Sequence, residues 1–230
     1  MTAGPGCAVP MYVHPVLAPQ AWQRLAEGDL GGGFVVVNAA DGPGTAVDPA
    51  YTEVLAALSA AGVPVVGYVD AGYGRREVAS VVEDAGRWRR LYGVRDVFLD
   101  RVPSGVELAH RVREADGRLR GAGAERVVLN PGVVPAPEIC RIGDVVVTFE
   151  GSWADHLAHR PPAWLREHRP ERLCHLVHGI PAEVGPEAVA RRALAAGAAV
   201  VGASRGPLPN PWDRSWFGPW PSATTGQISA

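Results

Sequence analysis

The chain reads as a single α/β domain, a (β/α)8 TIM barrel over residues 1–230, on three observations. Eight short apolar runs recur, and each stops at a polar residue: His14, Asn38, Asp70, Asp100, Asn130, Glu150, His178 and Ser204. Those end residues are spaced 24, 32, 30, 30, 20, 28 and 26 apart, the length of a strand plus its crossover helix. The runs are also continuous in Val, Ile and Leu instead of alternating with polar residues, which marks strands covered on both faces. An open doubly wound sheet is the other architecture compatible with this alternation.

The predicted strands are 8–13, 34–37, 63–69, 97–99, 127–129, 145–149, 173–177 and 198–203. Helical segments are predicted at 19–27, 50–61, 75–92, 104–120, 137–142, 153–168 and 186–196, the sixth interrupted by Pro161-Pro162. Pro19 and Pro186 suit a first helical turn, where a missing N–H costs nothing, and Gly62, Gly93 and Gly197 stand where helices should stop. Residues 206–230 alternate Pro with Trp and end in small polar residues, which predicts an irregular tail wrapping the barrel and then fraying.

Composition removes several classes of function. All 22 basic residues are arginine, so chemistry that needs a lysine, whether Schiff-base, pyridoxal-phosphate or Walker-type phosphate binding, has no residue to use. A net charge of −2 with no basic run among aromatics gives no nucleic-acid partner and no anionic-lipid surface. No run approaches the ~18 apolar residues of a membrane span, and no leader is seen at the N-terminus, which predicts cytoplasmic residence. Cys7, Cys140 and Cys174 are odd in number and lack CxxC spacing, so they read as reduced thiols. No cofactor fingerprint is present: Gly31-Gly32-Gly33 precedes a strand instead of following one.

In a parallel barrel every strand end faces one mouth, and that is where ligands bind. Asp100 and Glu150 then become neighbours two strands apart. Paired carboxylates in one cleft suit glycosidic bond cleavage, one serving as proton donor and the other as nucleophile or as base for a water. Asp70, on the third strand, is a third candidate acid. Asn38 and Asn130, each near Gly-Pro or Pro-Gly turns, are candidates for sugar hydroxyl contacts or for turn capping. Tyr12, Tyr68, Tyr73 and Trp153 lie on or past strand ends and offer flat faces for sugar rings or for the core, with Trp153 expected as a rim platform and core packing the stronger expectation for Tyr12 and Tyr68. His14 and His178 are placed to carry protons or to be structural. His156 and His159, spaced i,i+3, lack a third ligand at metal-site spacing, so no metal is expected. Cys174-His175 cannot be a nucleophile pair by adjacency, because neighbours in a strand point to opposite faces. Arg205, in the segment 202–206 after the eighth strand where barrels hold phosphate, joins Arg75 and Arg101 as a candidate clamp for an anion.

The ordered set Tyr12-Val13-His14-Pro15, Val37-Asn38, Gly42-Pro43-Gly44, Gly67-Tyr68-Val69, Tyr73-Gly74, Arg76, Phe98-Leu99-Asp100, Leu129-Asn130-Pro131-Gly132 and Val147-Thr148-Phe149-Glu150 resembles the spherulin-4 family (spherulation-specific family 4). The resemblance runs from about Tyr12 to Trp153. It implies a (β/α)8 barrel related to endo-acting hydrolases of α-1,4-linked galactosamine or N-acetylgalactosamine polymers, with Glu150 matching one of the family's acids. Where hydrolytic members have an Asp-Glu pair after the fourth strand, this chain has Asp100-Arg101, and Asp70 stands where the family more usually has a neutral residue.

These readings converge on a glycoside hydrolase-like barrel acting on a small-molecule or oligosaccharide substrate through Asp100 and Glu150. Two rivals are a sugar-binding barrel that has lost hydrolysis and an intracellular isomerase, lyase or cyclase on a small anionic substrate. Arg101 is expected to place its guanidinium within ~4–6 Å of Asp100 or Glu150 and hold that acid ionised. Oligomeric state is not encoded in any pattern found.

Overall fold

The structure, a computed structural model, describes residues 5–214. Eight parallel strands close into a barrel in sequence order: β1 (Gly6–Met11), β2 (Phe34–Val37), β3 (Val65–Asp70), β4 (Asp96–Asp100), β5 (Val127–Asn130), β6 (Val145–Ser152), β7 (Leu173–His178) and β8 (Val200–Ala203). The open-sheet alternative is excluded by the pairing of β1 with β8, Gly6 opposite Val200 and Cys7 opposite Val201.

Among the described residues seven α-helices cover the outside: α1 (Pro19–Glu27), α2 (Pro49–Ala60), α3 (Val78–Tyr92), α4 (Ala109–Gly121), α5 (Pro137–Cys140), α6 (Trp153–Ala158) and α7 (Pro186–Ala195). Their ends follow local chemistry. Asp48 caps α2 through its side chain, which accepts from the Ala50 N–H, and Pro occupies the first turn of α1, α2, α5 and α7. Gly93 ends α3 at φ 72°, a left-handed conformation that glycine adopts without strain. The predicted sixth helix is shorter than expected: Pro161-Pro162 end it, and only a 3-10 turn, Ala163–Glu167, resumes beyond them. Among the described residues no helix is long and apolar enough to cross a membrane.

Strand parity separates two packing layers. Ala8, Val36, Val66, Phe98, Val128 and Leu176, with others, fill the lumen, and Tyr12 and Tyr68 close it toward the mouth. Residues of opposite parity, among them Val35, Val69, Leu99 and Leu129, pack under the helices with Trp22, Tyr51 and Trp88. Gly67 is required by that second layer: a Cβ there would lie 2.6 Å from Trp88 Cγ, and the Trp88 indole N–H donates to the Tyr68 carbonyl at 2.8 Å.

Only the first residues of the expected tail are described. Residues 206–210 are irregular, a 3-10 turn follows at Pro211–Arg214, and Trp212 packs against the lumen cluster. The remainder of that expectation, residues 215–230, lies outside the described residues. The three cysteines are free and buried.

Candidate active site

Even-numbered residues of β3, β4 and β5 point into the lumen, so the last of them, Asp70, Asp100 and Asn130, reach the mouth together; Asp70 pairs in register with Asp100, and Asp100 with Asn130. On β6 simple alternation would fail. Val146 and Phe149 both lie in the strand–helix layer while Val147 faces the lumen, and the register against β7 slips between Val147 and Phe149. Thr148 is the extra residue of a β-bulge, and the bulge turns Glu150 inward.

Asn130 then joins the two carboxylates. Its Nδ2 donates to Asp100 Oδ1 and to Glu150 Oε2, each at 2.7 Å, and its Oδ1 accepts the Gly132 N–H at 2.9 Å. That third bond fixes which end of the amide faces the acids. Asn130 itself is 4% exposed, so it is a buried bridge and not a surface contact. Tyr68 donates to Asp100 Oδ2 at 2.9 Å, and its ring meets Tyr12 edge-on at 6.0 Å.

These surroundings shift the titrations. Burial pushes Glu150 up to about 6, the Asn130 bond opposing and the Asp100 charge adding. Burial also raises Asp100, against bonds from Tyr68 and Asn130 that favour its charged form. Burial and the two carboxylates hold the Tyr12 phenol well above its ordinary value, so it stays neutral.

Arg101 departs from expectation. Its Nη1 donates to Asp70 Oδ2 at 3.0 Å, and neither Asp100 nor Glu150 is its partner. The reason is backbone geometry: Arg101 sits at φ 53°, a left-handed corner that swings its side chain toward β3, and its carbonyl accepts the Tyr73 N–H at 2.6 Å. Tyr73, also left-handed at φ 55°, lies under the Arg101 guanidinium at 5.0 Å and near that of Arg75 at 5.8 Å, so its ring already has cations against it. Asp70 also accepts the Gly72 N–H at 2.6 Å through Oδ1, so both of its carboxylate oxygens have partners.

Other candidates are placed elsewhere. His14 Nε2 and Asp48 Oδ2 are 2.9 Å apart, which ties His14 to the α2 cap. Asn38 closes its own loop by accepting the Gly42 N–H at 2.8 Å. Trp153 is half-buried, packed against the strand–helix layer 5.9 Å from His156. His178 ends β7 with its ring edge-on to Trp212 at 6.3 Å, and burial lowers its pKa. Arg205 donates to the Ala182 and Val184 carbonyls at 2.9 and 3.2 Å, and Ser204 donates to the Pro211 carbonyl and accepts the Gly206 N–H. The loop after β8 is thus closed on its own neighbours rather than open as an anion clamp.

A second polar cluster escaped sequence reasoning. His156 Nε2 and His175 Nδ1 are 2.9 Å apart in the layer behind β6, and His159 packs beside them, all three rings against Phe149. His156 Nδ1, His159 Nε2 and His175 Nε2 are buried without a hydrogen-bond partner. Burial, with Arg192 and the neighbouring imidazoles adding, lowers His156 to about 4 and His175 to about 3. Among the described residues no group of His, Cys, Asp or Glu is arranged to hold a metal ion.

Comparisons with known proteins agree with this architecture. Spherulin-4 of Physarum polycephalum is 30% identical over 163 residues, 69% of this chain and 48% of that protein, so the chain spans about half the length of this relative. The crystal structure of Aspergillus clavatus Sph3 in complex with GalNAc superposes with a TM-score of 0.78 at 24% identity, covering 94% of each chain. Deoxyribose phosphate aldolase from Aeropyrum pernix shares the fold at a TM-score of 0.52 and 12% identity over 86% of this chain and 85% of that one. The model of spherulation-specific family 4 matches residues 6–206, and the chain belongs to that family.

Proposed function

We propose that this chain is a retaining glycoside hydrolase of galacto-configured oligosaccharides, with α-1,4-linked galactosamine or N-acetylgalactosamine oligomers as the substrate class the family resemblance implies. The observation that carries the reading is the Asn130 amide shared by two carboxylates. Each acceptor oxygen is 2.7 Å from the same nitrogen, so the two cannot be more than about 5.4 Å apart. Retaining glycosidases hold their carboxyl groups ~5–5.5 Å apart, and inverting ones leave ~6.5–9.5 Å for a water. The GalNAc bound to Sph3, a protein of the same fold, supports the sugar class.

The two acids divide the work by environment. Glu150, pushed up to about 6, is protonated on the acid side of neutrality where an ordinary carboxyl is not, and gives its proton to the leaving glycosidic oxygen. Asp100, whose charged form accepts from Tyr68 and Asn130, attacks the anomeric carbon as the bond to the leaving oxygen breaks. Glu150 then takes a proton from the water that displaces Asp100 from that carbon. Arg101 leaves this pair intact because its guanidinium is turned to Asp70 and bonds neither Asp100 nor Glu150. This favours catalysis over the reading of a barrel that only binds sugar.

Initial rates on N-acetylgalactosamine and galactosamine oligomers test the assignment. Glu150→Gln and Asp100→Asn should each lower turnover at least ~10²-fold, since each removes a group the chemistry uses. Turnover surviving in both variants would overturn it.

A further inference from the structure

Resting on that reading of the cleft, we infer that the rim beside Asp100 binds a sugar unit carrying a carboxylate, so that the preferred oligosaccharide is acidic next to the cleaved unit. Arg101 and Arg75 both bring guanidinium groups to the Tyr73 ring, at 5.0 and 5.8 Å. Asp70 answers Arg101 alone, bonding one of its nitrogens and accepting the Gly72 N–H with its other oxygen. Arg76, the next cation along, is already occupied by Asp84 and the Asp70 carbonyl, so the surplus positive charge belongs to Arg75 and Arg101. Both are accessible: Arg75 is exposed, and the Arg101 side chain is 41% exposed.

Position and chemistry point the same way. Asp70 lies directly across from Asp100 in the β3–β4 register, which sets the rim cations one strand from the proposed nucleophile. The negative charges deeper in the cleft do not cancel them at the rim: Asp100 is covered by Tyr68 and Asn130, and Glu150, three strands away from Asp70 on β6, turns its Oε2 to the Asn130 amide. A guanidinium presents several N–H groups in a plane and grips a carboxylate with two parallel bonds, which a neutral or cationic sugar cannot return. Two left-handed residues, Arg101 and Tyr73, fix the corner that carries the Arg101 side chain and the ring, linked by the Tyr73 N–H to the Arg101 carbonyl. Such backbone strain persists only where the surroundings enforce it.

Calorimetry on the Glu150→Gln protein at pH 7.5 separates the possibilities with three trimers of one linkage and ring configuration: α-1,4-linked galacturonate, N-acetylgalactosamine and galactosamine. The galacturonate trimer should bind at least fivefold tighter than the other two. Arg75→Gln or Arg101→Gln should erase that preference, as should ~0.5 M salt, which screens exposed charge. Arg75 is exposed and its backbone ordinary, so that variant reports on binding even where Arg101→Gln disturbs the corner. Equal or tighter binding of the neutral or cationic trimer, or a preference that survives Arg75→Gln and Arg101→Gln, overturns the acidic rim and leaves the hydrolase reading standing. Binding of none of the three overturns both.

Discussion

Asn130 carries more of the site than either acid does alone. Both of its amide hydrogens are committed to carboxylates and its oxygen to the Gly132 N–H, so it fixes the distance between the acids and lowers the pKa of each. The sign of its effect is testable. As proton donor, Glu150 must be protonated, so kcat/KM should fall as pH rises through about 6. Asn130→Ala removes a bond that favours the charged form, and the alkaline limb should move to higher pH while the rate drops. A limb that stays in place or moves to lower pH in the pH–rate profile would count against Glu150 as the donor. Residue types at strand ends were readable from sequence because a barrel sends them all to one mouth. The partner of Arg101 was not: it is set by one left-handed φ angle and by Asp70, 31 residues away across a strand pair.

At the scale of the element, β6 shows what an apolar run conceals. Its residues 145–149 look like an unbroken buried strand, in which Glu150 would share the parity of Val146 and face the helices. The bulge at Thr148 reverses that parity, and no local residue pattern announces it, because Val, Thr and Phe all suit regular strand. The bulge also has a cost. Thr148 is 1% exposed and its hydroxyl has no hydrogen-bond partner. Replacing that hydroxyl with a methyl in Thr148→Val should therefore raise stability by about 1–3 kcal/mol, the range for relieving an unsatisfied buried polar group. Urea denaturation measures it, and a loss of stability would show that the hydroxyl has a partner after all. The helix boundaries were more legible than the bulge, since Pro at first turns and Gly at last turns act locally, as at α1 and α3.

Across the whole molecule, closure of the barrel gathers distant strand ends, and it also buries what sequence leaves looking ordinary. His175 sits inside the run Leu173–His178, and His156 faces it from α6, 19 residues away in sequence. Burial keeps both imidazoles neutral in the folded chain, with pKa values of about 4 and 3, against an unfolded value near ~6.5. Between about pH 6.5 and 4 the unfolded chain binds more protons than the folded one, so stability should fall with acidification across that window. The urea midpoint should be lower at pH 5 than at pH 7.5, and the difference should shrink in His156→Gln/His175→Gln; an undiminished difference would assign the acid sensitivity to other groups. Asp100 of β4 and Glu150 of β6 meet at the mouth, and Asn130 holds the oxygens they turn to it no more than about 5.4 Å apart, the spacing of a covalent rather than a water-mediated displacement. Proton NMR of the first product released from an α-1,4-linked N-acetylgalactosamine oligomer tests it most directly. The account predicts that the α-anomer appears first and mutarotates to the β-anomer. A β-anomer appearing first, or a spectrum that does not change, would contradict it.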